Sequence, residues 1–124
     1  MPGLYVDTSA LGRVLLGESD AAAINATLAR YEETWSSELV VVELGRLAKL
    51  HSLESDAGEL LQDVRLLRIT SARLRSAMQI DPAQVRTLDS IHLSAAVSLH
   101  RLGTIAAVRP RRCGQISVRV VRGA

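Results

Sequence analysis

Three acidic residues in this 124-residue chain each stand where an apolar segment meets a helical pattern. Asp7 follows Leu4-Tyr5-Val6, Glu43 follows Val40-Val41-Val42, and Asp89 stands between Leu88 and Ser90-Ile91. A carboxylate among Val, Leu and Ile is costly to bury unless hydrogen bonds or a cation compensate it. Such acids therefore belong at the rim of a core, where a strand hands the chain over to a helix. Most of the other acids stand in polar, helix-surface surroundings and need no such account.

The punctuation around the three acids predicts an alternation of strands and helices. Residues 3–6 read as a buried strand ending in the cap sequence Asp7-Thr8-Ser9, followed by a short helix over 10–16 that Gly17 closes. Glu18-Ser19-Asp20 introduces a helix over 21–31 with Ile24 and Leu28 on its apolar side, and 34–37 reads as a brief strand. The run over 39–50 is too long for one strand; Leu39, Val42, Leu47 and Leu50 suit one helical face, with Ser36 or Ser37 as cap. A short helix over 56–61, a strand over 64–70, and a helix over 72–80 capped by Ser71 follow. Asp81-Pro82 interrupts the pattern, and a helix over 88–102 stops at Gly103. Strands are expected over 104–108 and, as a terminal edge strand, over 116–121. Short strands separated by helices predict a single α/β domain over 1–124, with a parallel sheet and right-handed crossovers.

Composition bounds the remaining classes. No apolar run approaches the roughly 20 residues that cross a bilayer, and residues 1–7 lack the basic and apolar regions of a signal peptide. The lone Cys113 has no internal partner, so the expected setting is the reducing cytoplasm. The net charge of +2 hides a strong asymmetry: no Asp or Glu follows Asp89, whereas Arg101, Arg109, Arg111, Arg112, Arg119 and Arg122 do. Every basic residue except Lys49 is arginine, the side chain that pairs bidentately with phosphate. From charge alone, a polyanionic partner and a merely solvated basic face remain alternatives. With Trp35, Tyr5 and Tyr31 as the only aromatics, no stacking platform for bases is expected, so arginine contacts to the backbone would dominate nucleic-acid binding.

In an open parallel sheet, functional groups gather beyond the carboxyl ends of the strands. Asp7 belongs there directly, and Glu43 and Asp89 lie about a turn inside helices that start at that edge. Three carboxylates about 4 Å apart would repel by about 4 kcal/mol per pair at an effective dielectric near 20. A bound cation would remove that penalty; hard oxygen donors without paired His or Cys select Mg²⁺ or Mn²⁺. Such an ion activates water and steadies charge on a phosphodiester. Taken singly, each acid has another reading: Asp7 and Asp89 as helix caps, Glu43 as a solvated helix residue.

The motifs resemble those of PIN-domain ribonucleases, specifically the VapC-type toxins of bacterial toxin–antitoxin pairs. The resemblance rests on Tyr5-Val6-Asp7-Thr8-Ser9-Ala10-Leu11, on Ser37 followed by Glu43-Leu44, and on Val85-Arg86-Thr87-Leu88-Asp89-Ser90-Ile91-His92-Leu93-Ser94-Ala95-Ala96. It implies a three-layer α/β/α sandwich with a central, mainly parallel sheet, Mg²⁺ or Mn²⁺ at a cluster of acids, and cleavage of RNA. It further implies a homodimer and neutralisation by a VapB-like antitoxin. Asp7, Glu43 and Asp89 match the first three acids of the family motif and would be both catalytic residues and metal ligands. Ser9 matches a hydroxyl that supports the first acid, with Thr8 beside it; Arg86, Arg109 and Arg111 are candidate phosphate contacts.

The fourth acid of the family pattern is missing. Arg109 or Pro110, in Ala106-Ala107-Val108-Arg109-Pro110-Arg111-Arg112, occupies its place, which makes 109–124 atypical. An arginine there would weaken a second metal more than the first, or hold the scissile phosphate. An RNA- and antitoxin-binding domain with weakened catalysis is therefore the alternative to an active nuclease. A phosphoacceptor receiver domain ranks below both, since it ordinarily wants adjacent acids after the first strand and a late lysine. His92 could donate to Asp89 three residues before it, although a packed helix histidine is the commoner outcome. Arg13 reads as a surface charge within reach of the site.

Overall fold

The computed structural model describes residues 3–103, 107–109 and 119–121, the last two stretches as backbone. Eleven elements follow one another among the described residues: β1 Leu4–Tyr5, α1 Thr8–Leu15, α2 Ala21–Leu28, β2 Thr34–Ser37, α3 Leu39–His51, α4 Glu54–Gln62, β3 Val64–Leu67, α5 Ser71–Met78, α6 Thr87–Arg101, β4 Ala107–Arg109 and β5 Arg119–Val121. Strands β1, β2 and β3 form a parallel sheet in that order, with Leu4 opposite Thr34 and Trp35 opposite Arg65. Helices α1, α3 and α4 pack together, while α5 packs on α6, which in turn lies against β2. This is the expected α/β sandwich around a parallel sheet.

The core explains why the strands can be so short. Leu4, Tyr5 and Val6 are all buried, and they meet Leu11, Val40, Leu44, Ala48, Ala95, Ala96 and Leu99 from the helices. A strand buried on both faces needs no alternation of polar and apolar residues. Ser36 is also buried, and its hydroxyl donates to the Val6 carbonyl at 2.7 Å, so this polar side chain is satisfied where β1 ends. In α6, Ala95 and Ala96 lie within the core cluster as small side chains, and His92 shares their buried stripe at helical spacing.

Several boundaries differ from the sequence expectations, each for a local reason. The buried stripe of α3 is Val40, Leu44 and Ala48, so the helix is rotated from the face expected; Val42 and Leu50 are 59% and 78% exposed. Both sets keep helical spacing, and only packing against α1, α4 and β2 selects between them. Thr70, rather than Ser71, caps α5 by accepting from the Arg73 amide at 3.2 Å, and the third strand ends at Leu67, short of the expected residue 70. Neither Ser36 nor Ser37 is the cap of α3: Glu38 holds that position without a side-chain bond, and Ser37, one residue earlier, accepts from the Leu39 amide at 3.2 Å. Asp20 precedes α2 without a capping bond and instead holds Arg13 at 2.6 Å. Gly17 and Gly103 end α1 and α6 at φ values of 64° and 74°, the left-handed conformation that favours glycine. Strands β4 and β5 pair antiparallel with each other in a sheet of their own, with Val108 opposite Val120. The remainder of the expected strands, 104–106 and 116–118, lies outside the described residues.

Candidate active site

Asp7 is placed by two requirements acting on one residue. The Val6 amide donates to the Trp35 carbonyl at 2.9 Å, so the parallel pairing runs up to the residue before Asp7. There the chain turns into α1, and Asp7 caps it, its Oδ1 accepting from the Ala10 amide at 3.2 Å. The cap reading and the site reading are thus compatible. Asp7 is only 4% exposed. Burial pushes its carboxyl up from 3.8 to about 6; the Ala10 amide and the His92 ring oppose this, while the charges of Asp89 and Glu43 add to it.

Glu43 on α3 and Asp89 on α6 lie close enough for their charges to act on Asp7. The charge of Glu43 also raises Asp89, whose carboxyl is lifted mainly by burial and held down in part by His92 and Arg86. Asp89 lies in the first turn of α6 and is not its cap, a position that Arg86 holds without a side-chain bond. The three acids singled out from the sequence therefore share one electrostatic neighbourhood. Arg86 is exposed beside Asp89. Ser9 lines the adjoining groove, and among the described residues the hydrogen bond to the Asp7 side chain comes from the Ala10 amide.

Glu43 is held differently from Asp7. Its Oε1 accepts from the Thr8 hydroxyl at 2.6 Å and meets His92 Nε2 at 2.7 Å. Burial would raise this carboxyl, but the bonds from His92 and Thr8 outweigh it and leave Glu43 below its ordinary value. Behind it, His92 Nδ1 lies 2.7 Å from the Tyr5 hydroxyl, and that hydroxyl accepts from the Ser37 amide at 3.1 Å. His92 does not turn to Asp89, as its position three residues later suggested; its ring is directed across the core to Tyr5 and Glu43. Neither Tyr5 nor His92 was singled out as part of the site from the sequence. The signal was present in His92 sharing a helical face with Ala95, Ala96 and Leu99, because a histidine on a buried stripe needs polar partners.

An open groove of about 610 Å³ adjoins Glu43 between α1 and α3, lined in part by Thr8, Ser9, Gly12, Arg13 and Arg46. Gly12 allows the two helices to approach: a Cβ there would stand 3.0 Å from Leu47 Cδ2. Arg13 is tied to Asp20, and Arg46 is exposed at the groove edge. Arg109 is described as backbone only, and Arg111 lies outside the described residues.

The donor set fits a hard divalent cation in its chemistry, since it is made of carboxylate and hydroxyl oxygens. Among the described residues no three Asp, Glu, His or Cys side chains are grouped closely enough to hold a metal ion. One carboxylate oxygen of Glu43 is committed to Thr8 and His92. An ion bound by one or two carboxylates and several waters, the usual manner of Mg²⁺, needs no such preformed cage. Among the described residues no helix is long and apolar enough to cross a membrane.

The family model for the PIN domain matches residues 4–105, which takes in all three acids and stops before β4. Among curated proteins, the chain is 32% identical to Ribonuclease VapC47 of Mycobacterium tuberculosis (strain CDC 1551 / Oshkosh) over 105 residues, 79% of this chain and 77% of that protein. It is 33% identical to Ribonuclease VapC46 of Mycobacterium tuberculosis (strain ATCC 25618 / H37Rv) over 110 residues, 84% of this chain and 85% of that protein. No solved structure matches the chain significantly.

Proposed function

The chain belongs to the PIN-domain family, among its VapC-type members, and from that premise we propose that it is a metal-dependent endoribonuclease, the toxin of a type II toxin–antitoxin pair. The observation that carries the reading is Asp7: a buried carboxylate at the end of β1, pushed up to about 6, with two further acids adding to the push. Such a group is stabilised by a cation, and Asp7 and Asp89 are the residues that would hold Mg²⁺ or Mn²⁺, with Glu43 orienting water beside them. The chemistry a bound ion supplies is activation of that water and neutralisation of charge on the phosphodiester.

The chain's own residues do the rest. Thr8 and His92 keep Glu43 ionised and fixed in direction, so that it can accept a proton or a hydrogen bond from water at the site. Arg86 and Arg46, both exposed near the acids, and the basic segment containing Arg109 and Arg111 are suited to the RNA backbone. The exposed Val41, Val42, Leu74 and Met78 supply apolar surface for a second copy or a VapB-like antitoxin. The cytoplasm is the compartment this assignment requires.

A second reading has its own observation, the absence of any acid after Asp89. In it, the domain binds RNA and antitoxin and turns over weakly. Incubation of the purified protein with RNA and Mn²⁺ or Mg²⁺ separates the two. Cleavage abolished by EDTA, by Asp7→Ala and by Asp89→Ala supports the nuclease; cleavage that survives all three refutes it, and RNA binding without turnover at any Mn²⁺ concentration favours the second reading.

A further inference from the structure

His92 is 2% exposed and Tyr5 is completely buried, yet the two share a hydrogen bond of 2.7 Å and meet edge to face at 5.9 Å between ring centres. The other ring nitrogen faces Glu43 Oε1 at 2.7 Å, with the Thr8 hydroxyl 3.5 Å away and itself donating to the same carboxylate oxygen. A carboxylate only accepts, so the proton in the short contact with Glu43 belongs on Nε2. The Tyr5 hydroxyl accepts from the Ser37 amide and has its own proton to give to Nδ1. In that arrangement each hydrogen is used once, from β2 through β1 and α6 to Glu43.

We propose that His92 is a positioning residue of the active site: oriented by Tyr5, it donates from Nε2 to Glu43 and, with Thr8, aims that carboxylate at the position held by Asp7 and Asp89. This rests on the nuclease reading above and adds to it a buried relay that ends on one of the acids. Without His92, Glu43 keeps only the Thr8 bond and is free to turn toward the open groove. The relay also links the site to the core: the residue that fixes Glu43 is itself fixed by the central sheet. Partners that orient a catalytic carboxylate in this way are worth about 10–100-fold in activity.

Two substitutions separate positioning from mere packing. His92→Gln keeps an N–H at the place of Nε2, facing Glu43, whereas His92→Asn keeps one at the place of Nδ1, facing Tyr5. The full-length variants are assayed for Mn²⁺-dependent cleavage of an RNA oligonucleotide, with kcat and KM determined separately. We expect His92→Gln to retain kcat within about threefold, and His92→Asn to lose about 10–100-fold in kcat with KM nearly unchanged. Equal losses in both variants, or better activity from His92→Asn, overturn the proposal. A nitrogen-15 spectrum of the metal-free wild-type protein supplies a readout independent of cleavage and of how the variants fold, with His92 assigned by replacing the exposed His51 and His100 in turn. A protonated Nε2 supports the relay; a bare Nε2 overturns it. If the wild type cleaves no RNA with either metal, the nuclease reading falls, and the nitrogen spectrum still decides whether His92 donates to Glu43.

Discussion

Glu43 and Asp7 belong to one acidic neighbourhood, but the protein compensates their burial in opposite ways. Glu43, on α3, has a hydroxyl and an imidazole on one carboxylate oxygen and sits below its ordinary pKa. Asp7, at the end of β1, has a single backbone amide among the described residues and is pushed up to about 6. Among the described residues one acid is stabilised as an anion by two donors, whereas burial of the other outweighs the compensation it receives. Cation binding should therefore be felt most strongly at Asp7, with Glu43 as a prearranged accessory.

The largest effect that tests this contrast is on catalysis. Asp7→Asn keeps an oxygen to cap α1 but removes the charge, and cleavage should fall by at least about 100-fold, a loss of the size seen when an electrostatic stabiliser is removed. Residual activity near that of the wild type, measured as initial rates at saturating Mn²⁺, would place the essential charge elsewhere.

The same substitution should stabilise the metal-free protein at neutral pH. Because the folded-state pKa of Asp7 is raised, the folded protein holds a proton between about pH 4 and 6 that the unfolded chain releases, so stability falls as pH rises through this window. At about 1.4 kcal/mol per unit, the rise from 3.8 to about 6 corresponds to about 3 kcal/mol lost by pH 7. Denaturant melts of wild type and Asp7→Asn across pH 4–8 should diverge in this sense, and Mn²⁺ should selectively restore the wild type. Parallel curves would mean that Asp7 is already compensated.

Thr8→Val sharpens the other side of the comparison. It removes one of the two donors to Glu43 and should cost about 1 kcal/mol while letting the Glu43 carboxyl rise toward the ordinary range. Carboxyl-carbon NMR titration reports that rise, and an unmoved Glu43 would show that His92 alone holds it. The smallest effect is expected at Gly12, where the added methyl of Gly12→Ala meets only the end of a flexible leucine and helix propensity is gained. Its net change in stability should stay within about 1 kcal/mol, with any activity loss tracing to the groove between α1 and α3.

Much of the fold was legible because its signals are local. Asp7-Thr8-Ser9 after an apolar triplet announces a strand passing into a helix, and Gly17 and Gly103 mark helix ends. The rotation of α3 was not legible. Leu39, Val42, Leu47 and Leu50 fit helical spacing about as well as Val40, Leu44 and Ala48, and local propensity has no means of choosing between them. The swap of cap from Ser71 to Thr70 has the same origin, since adjacent hydroxyls cap equally well until the strand length is set.

The sequence by itself determined the residue types of the site and their attachment to the ends of elements, because a charged group beside an apolar run leaves few positions a folded chain can tolerate. It also carried the family motifs and the one-sided basic tail. Only the tertiary structure decided which acid is stabilised and by what. Tyr5, Thr8, Glu43 and His92 come from three separate segments, and their hydrogen bonds exist only once β1, α1, α3 and α6 have closed around one core. Hydrogen bonding acts over about 3 Å, and no spacing along the chain encodes such a distance until packing brings the side chains together.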